Sequence, residues 1–142
     1  MSQLLVKRDE YTPTGWDIIS THLTIQIYSN FARTTVKINI KASNSDSLPP
    51  LFLHGQNLDL KKVVINNVAQ QIRDIQKNND SLIFNLSCAS NEIEIVTLCN
   101  PFENTTLEGL YKSGDIICTQ CEPEGFRRIC YYPDRPDMMS VF

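Results

Sequence analysis

Long hydrophobic runs are missing from this chain, and histidine is scarce. The longest apolar stretches, such as Val63-Val64-Ile65, fall far short of the ~20 residues that span a bilayer as a helix. A membrane is therefore not expected as a partner. Basic residues are not in excess either: 13 Lys and Arg against 16 Asp and Glu leave a net charge of −3. Phosphate binding needs a basic surface, so nucleic acid is excluded as a default partner. Lys7-Arg8, Lys61-Lys62 and Arg127-Arg128 are only doublets. There are two histidines, His22 and His54, far apart in sequence. Ahead of Lys7 stand only Leu4-Leu5-Val6, too few for the roughly 7–15 apolar residues of a secretory signal. Five cysteines make an odd count. With no export signal, reduced thiols in a cytoplasmic protein fit better than a disulfide framework.

What the chain does have is alternation. Its 142 residues, 42% hydrophobic and 20% charged, read as one globular domain over residues 1–142. His22 to Tyr28 sets Leu23, Ile25 and Ile27 on one face, with Thr24 and Gln26 opposite. Arg33 to Lys41, Leu51 to Leu53, Leu58 to Ile65, Leu82 to Leu86 and Glu92 to Leu98 follow the same rule. Turn clusters separate them at Ser29-Asn30, Ser43 to Pro50, Asn66-Asn67 and Asn78 to Ser81. Short alternating strands joined by close turns predict an all-β, antiparallel β-sandwich. Glu122 to Arg127 is the one stretch suited to a helical turn. Met138 to Phe142 reads as the start of a strand, as though the native polypeptide continued.

Three constellations could carry chemistry. Cys118-x-x-Cys121 is half of a zinc site, but a structural site needs four ligands and neither histidine stands at a useful spacing. A redox dithiol wants a helix in an α/β setting, which is absent. Reduced structural or substrate-side thiols fit better. Glu122 and Glu124 could pair as catalytic carboxylates, or form a surface ion-pair cluster with Arg127 and Arg128. No Gly-rich phosphate loop or nucleophile elbow occurs. No complete catalytic or metal site is legible, and the residues alone describe a β-rich binding or support domain.

The tail supplies more. Thr105 to Gly114, TTLEGLYKSG, and Cys118 to Ile129, CTQCEPEGFRRI, closely resemble signature segments of the bacterial aminopeptidase N family of zinc metallopeptidases, in its alanyl-aminopeptidase-like branch. Tyr131 to Asp137, YYPDRPD, resembles a third segment. Tyr11-x-Pro13 before Trp16, His22-Leu23-Thr24 and Leu53 to Leu58 match the family's opening more loosely. Departures are mild: Thr106 and Pro123 stand where the family often has alanine, and Pro133 where it has leucine.

The resemblance implies the saddle-like N-terminal β-domain of such an enzyme. It implies that Glu122 binds the free α-amino group of a peptide and that Gln120 lines the pocket for the first side chain. A carboxylate aimed at an ammonium makes a charge-assisted bond; a blocked amine leaves that charge unpaired, which is how an exopeptidase rejects internal bonds. The family's catalytic elements are the exopeptidase motif G-x-M-E-N and the zinc site H-E-x-x-H with a distant glutamate, and neither motif occurs here. Zinc would thus belong to the parent enzyme, with ligands outside this chain and none within it. The implied partners are a peptide N-terminus and the catalytic domain of the same polypeptide, this chain being inactive alone. The alternative is a stand-alone β-sandwich protein-interaction module.

Overall fold

The alternating segments form antiparallel strands. The computed structural model describes residues 7–142, so the short apolar segment Leu4-Leu5-Val6, read above against an export signal, lies outside the described residues. Five strands make the main sheet: β1 (Trp16–Ile27), β2 (Ala32–Ala42), β4 (Asp59–Ile65), β5 (Val68–Ala69) and β8 (Ser90–Cys99), in the order β1-β2-β8-β4-β5. A second sheet has the order β3-β7-β6, from β3 (Leu51–His54), β6 (Gln76–Asn78) and β7 (Ser81–Phe84). A separate hairpin is built of β9 (Gly109–Ser113) and β10 (Ile116–Gln120). The first two sheets share one core, in which Ile38, Val63 and Ile93 meet Leu53 and Leu82, all 0% exposed. Burying each such side chain contributes roughly 1.5–3 kcal/mol. The antiparallel sandwich read from the pattern is the fold observed. No helix among the described residues is long and apolar enough to cross a membrane.

Two β-bulges explain how long strands keep one face inward. In β1 the register slips between Ile18 and Ser20. Trp16 and Ile18 point inward before the slip and Thr21 after it, while Ile19 is left exposed. One extra residue moves the inward face from even to odd numbers. In β4 the slip between Leu60 and Lys62 does the same, so Leu60 and Val63 are both buried. The expected face of β1 is thus partly corrected: Leu23 and Ile25 pack inward, but Ile27 at the strand end is exposed. Asn66 and Asn67 both adopt positive φ, 49° and 65°, the two-residue turn that joins twisted antiparallel strands.

Two segments differ from expectation. Met138 to Phe142 is not a strand. It is tied to the β1 bulge, where Thr21 N donates to Val141 O at 2.7 Å and the Phe142 ring packs edge-on to Phe126. The stretch from Glu122 to Arg127 begins as a β-turn, and its 3₁₀ turn covers Phe126–Arg128 instead. Glu124 adopts φ 60°, outside the right-handed helical region, so helical geometry starts only after it.

Candidate functional site

The β9–β10 hairpin had no alternating signature of its own, and it carries Gln120, one of the two candidate site residues. Its turn is Gly114-Asp115, with Gly114 at φ 60° and Ser113 paired to Ile116. A glycine with positive φ at the first central position is the demand of a type II′ hairpin turn. At the other end Gln120, the last residue of β10, pairs with Gly109. Leu110 and Ile117 anchor the hairpin in a small second cluster with Ala32, Ile129 and Leu23. Asn104 organises its approach: Nδ2 donates to the carbonyls of Glu108 and Leu110 at 2.8 and 3.0 Å, and Oδ1 accepts from Thr106 N. Sequence reasoning passed over Asn104, although an asparagine followed by threonines is a standard side-chain-capped turn.

After β10 the chain folds tightly on itself. Glu122 O accepts a hydrogen bond from Gly125 N at 2.5 Å. Pro123 occupies the second position of that turn and Glu124 the third, with φ 60°. Pro at the second position and positive φ at the third is the type II arrangement, which normally takes Gly or Asn at the third. Glu124 is therefore held in a costly conformation. Gly125 is required by closeness: a Cβ there would stand 2.8 Å from Glu122 O and 3.2 Å from Cys121 Cα.

The charges of this region divide cleanly. Arg128 Nε meets Glu108 Oε2 at 2.9 Å, and Arg127 meets Glu124 Oε2 at 3.6 Å. Arg127 is bound more firmly by Asp134: its backbone N and its Nε both donate to Asp134 Oδ2, at 3.0 and 2.9 Å. The surface ion-pair cluster weighed for both glutamates therefore includes Glu124 and excludes Glu122. Glu122 and Gln120 are exposed, and neither side chain makes a hydrogen bond or ion pair with another described residue. They lie two residues apart on one segment. A groove of about 910 Å³ is lined by Gln56, Asn57, Asp80, Arg128 and Tyr131 among others, and includes neither of them.

The thiols stand apart from this chemistry. All five cysteines are free. Cys118 Sγ points toward Tyr111 O at 3.8 Å, while Cys121 is exposed. Partial desolvation of its sulfur, helped by the Asp134 charge, pushes the Cys121 thiol up from its ordinary pKa, and full burial pushes Cys130 much further. Neither is an activated thiolate. Among the described residues no three His, Cys, Asp or Glu side chains are grouped closely enough to hold a metal ion. A zinc site does not fit this chain's residues.

Residues 10–142 match the family described as the Peptidase M1 N-terminal domain. This chain belongs to that family. The aminopeptidase N of Haemophilus influenzae is 35% identical over 138 residues, covering 95% of this chain and 16% of that protein. The crystal structure of Legionella pneumophila aminopeptidase A in complex with aspartic acid superposes with a TM-score of 0.79 at 27% identity. It covers 93% of this chain, which in turn spans 16% of the Legionella one. An M1 zinc metallopeptidase from Deinococcus radiodurans shares the fold at TM-score 0.70 and 12% identity, over 89% of this chain and 31% of its own. This M1 N-terminal domain thus spans about a sixth of the Haemophilus and Legionella proteins.

Proposed function

We propose that this M1 N-terminal domain is the non-catalytic wall of the substrate site in a zinc-dependent aminopeptidase that removes single residues from peptide N-termini. Glu122 takes the α-ammonium of the substrate, and Gln120 lines the pocket for the first side chain. One observation carries the assignment. Glu108 and Glu124 are paired to arginines, while Glu122 between them offers an exposed carboxylate with no described cationic partner. A carboxylate so left has its charge available to an incoming ammonium, and desolvation on assembly would make that pairing stronger.

The zinc and the general base belong in this reading to a catalytic domain of the same polypeptide, as the M1 zinc metallopeptidase of Deinococcus suggests. That domain would pack on the hairpin side, where Leu107 and Ile116 expose apolar side chains. In this reading the chain binds and orients, and water is activated by the catalytic domain. A stand-alone interaction module would leave the unpaired Glu122 without a role.

The test is Glu122→Gln in the full-length enzyme. Kept shape and lost charge should lower kcat/KM by about 1.5–3 kcal/mol, or roughly 10- to 150-fold. Discrimination against N-acylated peptides should fall with it. Unchanged kcat/KM and unchanged discrimination would remove Glu122 from the amine site.

A further inference from the structure

We infer that Arg127 is a positioning residue for amine recognition, fixing the turn that aims Glu122 without touching substrate; the inference rests on the reading of Glu122 as the amine ligand. The geometry is that of a clamp. Arg127 Nε donates to Asp134 Oδ2 at 2.9 Å, and its terminal nitrogen donates to the Asp134 carbonyl at 2.8 Å. The Arg127 backbone N donates to the same carboxylate oxygen at 3.0 Å, and its carbonyl accepts from Gln56 N at 2.9 Å. The guanidinium also reaches Glu124 Oε2 at 3.6 Å. One side chain thereby ties the 3₁₀ turn that follows Gly125 to the chain seven residues on, while its own carbonyl ties it to the segment after β3.

The clamp is sheltered, with the Arg127 and Asp134 side chains only 12% and 14% exposed. Charge-assisted bonds there are screened less than at the surface. What they hold is strained: Glu124 keeps φ 60° without being glycine, a conformation that persists only where its surroundings over-determine it. Arg127 supplies that determination through Glu124 at the third position of the Glu122–Gly125 turn. Without the clamp, the turn relaxes and Glu122 loses its direction. Lysine cannot replace it, because a point charge cannot reach carboxylate and carbonyl together as the planar fork does.

The experiment compares Arg127→Lys, Glu122→Gln and the double variant in the full-length enzyme, with amide hydrogen exchange across residues 120–126 as a second readout. Arg127→Lys is expected to speed exchange in that segment. It should also lower kcat/KM for free-amine peptides by roughly 10- to 100-fold, the scale of misplacing a binding group. The double variant should fall no further than Glu122→Gln alone, because Arg127 acts through Glu122. Additive losses, or faster exchange with unchanged kcat/KM, overturn the positioning role while leaving Glu122 in the site. If Glu122→Gln itself changes nothing, the amine-site reading has failed and this inference with it. Should Arg127→Lys fold poorly, Asp134→Asn removes the same charge pairing at constant volume and is judged by the same criteria.

Discussion

The sandwich and the hairpin-turn region are held by different forces. Between β1 and β8 the strands pair over long registers, and side chains such as Val36, Leu53 and Leu82 are wholly buried. Stability there comes from area removed from water and is spread over many residues. From Asn104 to Arg128 the apolar anchors reduce to Leu110, Ile117 and Phe126, and the shape is set by Asn104, Gly125, Arg127 and Asp134. Here a few polar bonds and one close backbone approach decide the conformation. Sandwich and hairpin-turn region thus have separable weaknesses, because local opening need not follow global unfolding.

Cutting the core should give the largest effect. Leu53→Ala removes a wholly buried side chain facing Leu82 across β3 and β7. It should cost about 2–5 kcal/mol, read as a lower urea midpoint. Exchange at residues 120–126 should change only as far as the global stability does. A selective loosening of that loop would mean the two regions are not separable.

Gly125→Ala probes the other side. The new Cβ would press on Glu122 O and Cys121 Cα, at a cost of about 1–3 kcal/mol. The disturbance should stay local, accelerating exchange near Glu122 and lowering aminopeptidase kcat/KM while the sandwich amides keep their protection. Global unfolding on this change would instead show that the turn is part of the fold's nucleus of stability.

The smallest expected effect sharpens the contact between the regions. His54, at the end of β3, is half-buried, and its buried Nδ1 has no partner among the described residues. Burial first, and then the Arg127 guanidinium, hold its pKa below the ordinary value, against weaker opposing pulls from Asp134 and Glu124. A lowered folded pKa means that the fold prefers the neutral ring. The associated stability is complete above the unfolded value of about 6.5 and is lost as pH falls through the folded one. The melting temperature should therefore drop between pH 7.5 and pH 5.5, and His54→Gln should flatten that slope. Asp137, held at about 2 first by its bond from Arg135, stays ionised across this range and does not contribute. An unaltered slope in His54→Gln would assign the pH effect elsewhere.

Much of the sandwich was legible because burial on one face of a strand writes itself as alternation. Ala32 to Ala42 is the clearest instance, with alternate residues buried from end to end. Legibility failed where the signal is not periodic. β9 and β10 were reached only as parts of the family segments, since their short strands pack through few residues on a small cluster. Gln120 and Glu122 were reached by resemblance to a signature segment, and nothing in their spacing alone separates a ligand from a surface pair. The structure shows that Glu124, and not Glu122, carries the ion pair with Arg127.

By itself the sequence determined the fold class, the inward residues of β2 and the family segment in the tail. These are local properties: alternation, turn chemistry and residue order. Only the tertiary structure decided where β1 and β4 change parity, that Met138 to Phe142 binds the β1 bulge rather than forming a strand, and which glutamate remains unpaired. Two of these rest on contacts far apart in the chain, Glu108 with Arg128 and Val141 with Thr21. A carboxylate's freedom is set by which cations the folded backbone brings to its neighbours, and no sequence spacing carries that geometry.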